Sequence, residues 1–133
     1  MRATGIAGGS YAGSVIALLS AWPAVRADRA DCGVGVGVGT PAGQILHFHG
    51  GSYADLRLTR PVIDRMHEVL AQSGRLFMVP DDDWIGMRLE TSGDAALLVA
   101  LVSLAIKANA AAPPSTWSAS PCGVDQARVA VAG

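Results

Sequence analysis

The chain has 133 residues, half of them hydrophobic and 16% charged, with a formal net charge of −1. This is enough for one globular domain with its own core, and the composition excludes a disordered chain. No run of basic residues is present, so the electrostatic footprint for nucleic acid or an anionic membrane surface is missing.

From Gly5 to Ala21 the chain is weakly apolar, but Gly8, Gly9, Ser10 and Gly13 dilute the stretch. It reads as a helix over 10–21 ended by Pro23 rather than as a signal peptide, with Val15, Ile16, Leu18, Leu19 and Trp22 on its buried side. A cytoplasmic protein is expected. Residues 24–32 read as a loop. The run Gly33–Gly39 alternates glycine and valine, which suits a strand with valines toward a core. Its bare glycine face allows something to approach the backbone closely. No Gly-Lys-Ser/Thr follows, so a phosphate loop is not expected.

Residues 44–49 and 53–58 read as paired strands joined at Gly50-Gly51-Ser52. A period of two places Leu46, Phe48, Ala54, Leu56 and Leu58 on one face. The other face receives Ile45, His47, His49, Tyr53, Asp55 and Arg57. Thr59 is positioned to cap a helix over 60–72, whose apolar stripe is Val62, Ile63, Met66, Val69 and Leu70. Gly74 permits a left-handed exit. Strands follow at 75–79 and 84–90, joined by Pro80-Asp81-Asp82-Asp83; Ile85, Met87 and Leu89 face inward, Trp84, Arg88 and Glu90 outward. Ser92 caps a final helix over 93–108, whose apolar length suits a buried core helix rather than a membrane span. Residues 110–133, rich in Ala, Pro and Ser, read as a disordered tail after a single domain over 1–109.

The order is αβ(β)βαββα. It implies an α+β fold: an antiparallel sheet of four or five strands with helices packed on one face. The opposite face then gathers His47, His49, Asp55, Arg57, Trp84 and Arg88. Three readings stay open for that face. His47, His49 and Asp55 have the residue types of a three-ligand metal site with an open position. Alternatively, an imidazole whose second nitrogen is fixed by Asp55 serves as general base, with Arg57 or Arg88 holding the resulting anion. In the third, the histidines only hydrogen-bond their neighbours. His67 lies on the solvent side of its helix, and Asp81-Asp82-Asp83 lacks the alternating spacing of a calcium loop. Cys32 and Cys122 pair only if the tail folds back, and a thiol role for Cys32 at the sheet face stays open.

Ile45-Leu46-His47-Phe48-His49, Ala54-Asp55-Leu56-Arg57-Leu58, the Val69-Leu70 helix end, the Asp83-Trp84 strand and the apolar closing helix resemble the luciferase-like domain family over roughly residues 15–109. That family is named for the fungal luciferase and is carried by many short actinobacterial proteins. The resemblance implies chemistry on a small aromatic or enolic compound with molecular oxygen and no recognised metal or flavin cofactor. His47 and His49 would carry the base chemistry. Leu89-Glu90-Thr91 and Arg75-Leu76 depart from the fungal pattern, so light emission is not part of the expectation. A non-catalytic domain binding a small ligand or partner on the same face is the alternative, and a metal-dependent enzyme the second alternative.

Overall fold

Six strands form one antiparallel sheet: β1 (Arg26–Arg29), β2 (Val36–Thr40), β3 (Gly43–Phe48), β4 (Tyr53–Arg57), β5 (Leu76–Met78) and β6 (Trp84–Arg88), in the order β1-β2-β3-β4-β6-β5. Among the described residues four helices accompany it: α1 (Tyr11–Leu19), α2 (Arg60–Arg65), α3 (His67–Gln72) and α4 (Ser92–Ala111). The computed structural model describes residues 10–112 except 32, 34 and 79–81. The expected tail from 113 onward, the Cys32–Cys122 pairing, a thiol role for Cys32 and the Asp81 end of the acidic turn lie outside the described residues.

The α+β class holds, with more strands than expected. The additional strand is β1, which the charged run Arg26-Ala27-Asp28-Arg29 had disguised as a loop. It is an edge strand pairing only with β2, so charge along it is tolerated and blocks further pairing.

The registers show how the period of two sorts the sheet. Val36, Phe48, Ala54, Met87 and Leu76 lie in one row across the strands, and Val38, Leu46, Leu56, Ile85 and Met78 in another. Both rows face the apolar core, which is completed by Val15 and Leu19 of α1, Val62 and Ile63 of α2, Leu70 of α3 and Leu98, Leu101, Val102 and Ala105 of α4. The expected core face is therefore the observed one. Fully burying a Phe or Leu side chain stabilises by roughly 1.5–3 kcal/mol, so these rows supply most of the driving force.

Local chemistry sets the helix ends, not always as expected. Ser10 caps α1, its hydroxyl accepting from Gly13 N at 3.0 Å. Thr91 rather than Ser92 caps α4, in a reciprocal box: Asp94 N donates to the Thr91 hydroxyl at 3.1 Å and Thr91 N to Asp94 Oδ2 at 3.1 Å. The single helix expected over 60–72 is broken at Met66 (φ −106°, ψ 11°). Its stripe breaks with it, and Val69 is exposed. Gly74 does take the left-handed exit, at φ 70°. At 20 residues α4 is longer than expected and is long and apolar enough to cross a membrane, with 33% of its most apolar window buried.

Candidate functional site

Between the two apolar rows runs a third, whose side chains rise from the opposite face of the sheet. Asp28, Gly37, His47, Asp55, Gly86 and Phe77 stand directly across from one another on successive strands. Its centre is the cross-strand pair His47–Asp55, with a glycine on either side. Both residues are 0% exposed. The sequence places these side chains together correctly, but the expected half-exposed face is instead buried.

His49 is the third member. Its Nε2 lies 3.8 Å from Asp55 Oδ2, ion-pair range rather than hydrogen-bond contact, and its side chain is 7% exposed. The His47 and His49 rings meet edge to face with centroids 5.8 Å apart. Trp84 covers His47 from the next row, ring centroids 5.3 Å apart and tilted by 44°. Trp84 is itself buried, and its indole Nε1 meets no hydrogen-bond partner among the described residues.

Sequence reasoning missed Gln44. Strict alternation puts it on the core face with Leu46 and Phe48. The β2–β3 register, however, slips between Val38 and Gly39, where Leu46 pairs with Val38 but Gln44 with Gly39. This bulge leaves one extra residue in β3 and turns Gln44 onto the face of His47. There Gln44 Oε1 accepts from Asp31 N at 2.8 Å while Gln44 Nε2 donates to Arg29 O at 2.9 Å. A backbone N–H only donates and a carbonyl only accepts, so the amide's orientation is fixed. His47 Nε2 lies 3.0 Å from the same Oε1 and must therefore carry a proton. Gln44 thus sets the His47 tautomer. The amide sits against the bare backbone of Gly37, where a Cβ would collide with it. The close approach expected along the Gly-Val strand is thus that of the chain's own glutamine.

Arg57 and Arg88 have contacts of their own outside the histidine pair. Arg57, 1% exposed, donates through Nη1 to Asn109 Oδ1 and through Nη2 to Asp83 Oδ2 at 3.2 Å. Asn109 Nδ2 donates back to Arg57 O at 2.7 Å. Burial holds the Arg57 pKa below its ordinary value, and the Asp83 carboxylate opposes that shift. Asp83 also replaces Thr59 as the expected cap of α2: its Oδ1 accepts from Arg60 N at 2.7 Å, and the Thr59 side chain makes no capping bond. Arg88 stands across from Tyr53 with its guanidinium 5.2 Å from the centre of the Phe77 ring. His67 is exposed, as expected. Among the described residues no three His, Cys, Asp or Glu side chains are placed to hold a metal, so His47, His49 and Asp55 do not form the ligand set considered from sequence.

His47, His49, Asp55 and Trp84 thus form one cluster on the polar face of an α+β sheet, with an indole donor that has no partner among the described residues. Residues 42–105 match the family model of the Luciferase domain, a span that contains β3, β4, the whole cluster and most of α4. The match is to the same family that the His-Phe-His strand resembles. No curated protein and no solved structure matches it.

Proposed function

We propose that this luciferase-like domain is an acid–base enzyme acting on a small hydroxylated aromatic or enolic compound, with molecular oxygen as the oxidant. The observation that carries the reading is the buried Trp84 Nε1–H, without a partner among the described residues and placed beside His47. An unsatisfied buried donor costs about 1–3 kcal/mol, and such a cost is met where a ligand oxygen completes the bond.

In this reading His49, the only one of His47, His49 and Asp55 with any exposure, meets the substrate and takes its O–H proton. Asp55 stabilises the imidazolium that forms. A second oxygen of the substrate accepts from Trp84 Nε1, on the other side of His47, and the electrons of the new oxyanion are then available to dioxygen. His47, locked by Gln44, holds the wall of the site. The sequence alternative of a non-catalytic binding face uses the same donor but no proton transfer.

Oxygen consumption by the purified protein with hydroxylated pyrones or polyphenols tests the reading. Uptake that His49→Ala abolishes and Trp84→Phe lowers by about ten- to a hundredfold supports it. Saturable binding of the same compounds without uptake sinks the enzyme reading in favour of the binding domain. Metal analysis belongs beside it: stoichiometric metal lost in His49→Ala would replace this mechanism with a metal-dependent one.

A further inference from the structure

A concave site lies at the far end of β4, away from the histidines. A cavity of about 500 Å³ opens between α2 and the C-terminal end of α4. None of His47, His49, Asp55 or Trp84 lines it. That volume lies within the range of small-molecule sites, roughly 300–1,000 Å³.

Its lining has two parts. Val62 of α2 and Ala108 and Ala111 of α4 supply an apolar wall of small side chains, suited to a flat body. Arg57, Arg65 and Asp83 supply the charge. Arg57 and Asp83 form the buried pair already described, 3.2 Å apart. Arg65 makes no ion pair among the described residues, so the formal balance of these side chains is positive. The C-terminal end of α4 offsets this by roughly half a charge. The pocket remains positive, with one arginine at its exposed edge and another held rigidly by Asp83 and Asn109. A planar guanidinium whose orientation is already fixed loses little freedom on meeting a carboxylate.

The backbone adds a separate sign. Thr59, which also lines the cavity, holds φ 77° and ψ 146°, a region almost confined to glycine. The strain is held by the Asp83 backbone oxygen, which accepts from both Leu58 N and Thr59 N at 3.0 Å. A β-branched residue kept there marks a wall whose shape is imposed rather than relaxed.

We propose that this pocket is a binding site for a small aromatic carboxylate, its ring against Val62, Ala108 and Ala111 and its carboxylate toward Arg65 and Arg57. A compact dianion such as phosphate fits less well. It would bring more charge against Asp83 and leave the apolar wall unused. The site is independent of the histidine cluster and of the function proposed for it.

Benzoate is the probe, titrated calorimetrically into the full-length protein, with benzamide and inorganic phosphate as comparisons. Saturable benzoate binding is expected, tighter than that of either comparison. Arg65→Gln, at an exposed position, should weaken it about two- to fivefold, the effect of one partly solvated charge pair. Ala111→Trp, also exposed, should fill the pocket and abolish binding, with circular dichroism confirming the fold. His49→Ala should leave benzoate affinity unchanged, which keeps this test separate from that of the proposed enzyme. The proposal is overturned if benzoate does not bind, if benzamide or phosphate binds as tightly, or if Arg65→Gln leaves the affinity unaltered.

Discussion

At its centre the sheet is buried on both faces, but the two faces bury opposite kinds of matter. The helix-covered face is carbon throughout: Leu46, Phe48, Leu56, Ile85 and Met87 lie within 1% of full burial. The other face buries His47, Asp55 and Arg57 to the same degree. Burying carbon stabilises roughly in proportion to area, whereas burying a charge costs several kcal/mol unless partners compensate. The first face needs only shape. The second needs named partners, and it has them at two places: Gln44 behind His47, and Asp83 with Asn109 around Arg57. This face also holds the Trp84 indole donor, which has no partner among the described residues.

The contrast breaks first at its apolar side. Phe48→Ala should cost about 3–5 kcal/mol, transfer energy plus the cavity left in a packed core. Chemical denaturation read by circular dichroism checks it. An unchanged midpoint would mean that Phe48 is not in the core, and the register of β3 would be wrong by one residue.

On the polar side the same size of effect must come from electrostatics. Asp83→Ala should destabilise by about 2–4 kcal/mol. It removes the ion-pair partner of buried Arg57 and also the cap of α2. Asp83→Asn keeps the hydrogen-bonding shape and loses only the charge, so it should cost less. Equal losses for the two variants would show that the carboxylate's charge is the main contributor. If neither variant moves the midpoint, the Arg57–Asp83 pair is as weak as a surface pair.

Much of this contrast was legible in the sequence. Alternation in β3 and β4 is strong enough to sort Leu46, Phe48 and Leu56 from His47, Asp55 and Arg57, because a half-turn per residue leaves no other arrangement. What alternation cannot show is its own interruption. The bulge beside Gln44 depends on how β2 pairs with β3, a relation between distant residues, so the residue that fixes His47 stayed hidden. Burial of the polar face was illegible for a related reason: polar side chains on alternate positions ordinarily mean solvent. In sequence Asp83 is only the end of a turn joining two strands, because its partners, Arg57, Leu58, Thr59 and Arg60, lie 23 to 26 residues earlier in the chain. The Gly-Val run did carry a usable signal. A bare backbone face announces a close neighbour, though not which one.

The histidines divide the polar face further. His47→Ala should cost about 2–3 kcal/mol, since it empties a fully buried site and deprives Gln44 of a partner. His49→Ala removes a side chain at the edge of the cluster, and its loss should be about 1 kcal/mol or less. Thermal unfolding of the two variants side by side decides between a structural and a functional imidazole. Equal, large losses would make both of them structural and remove the main support for a reacting residue on this face.

A comparably small effect on stability is also the sharpest test of how the polar face is organised. Gly37→Ala would place a methyl group where the Gln44 amide now lies. The obstacle is the far end of a flexible side chain, so the strand should survive. A loss of about 1 kcal/mol is expected, the value of one displaced hydrogen bond. The informative readout is not the midpoint but the His47 ring. With Gln44 in place its Nε2 is protonated; with the amide pushed aside that preference is lost. Nitrogen-15 chemical shifts of the imidazole report the tautomer directly. A wild-type His47 protonated at Nδ1 alone would contradict the Gln44 assignment outright. An Nε2-protonated ring that Gly37→Ala leaves unchanged would mean that another group holds the proton, and that the bulge in β3 serves the backbone rather than the site.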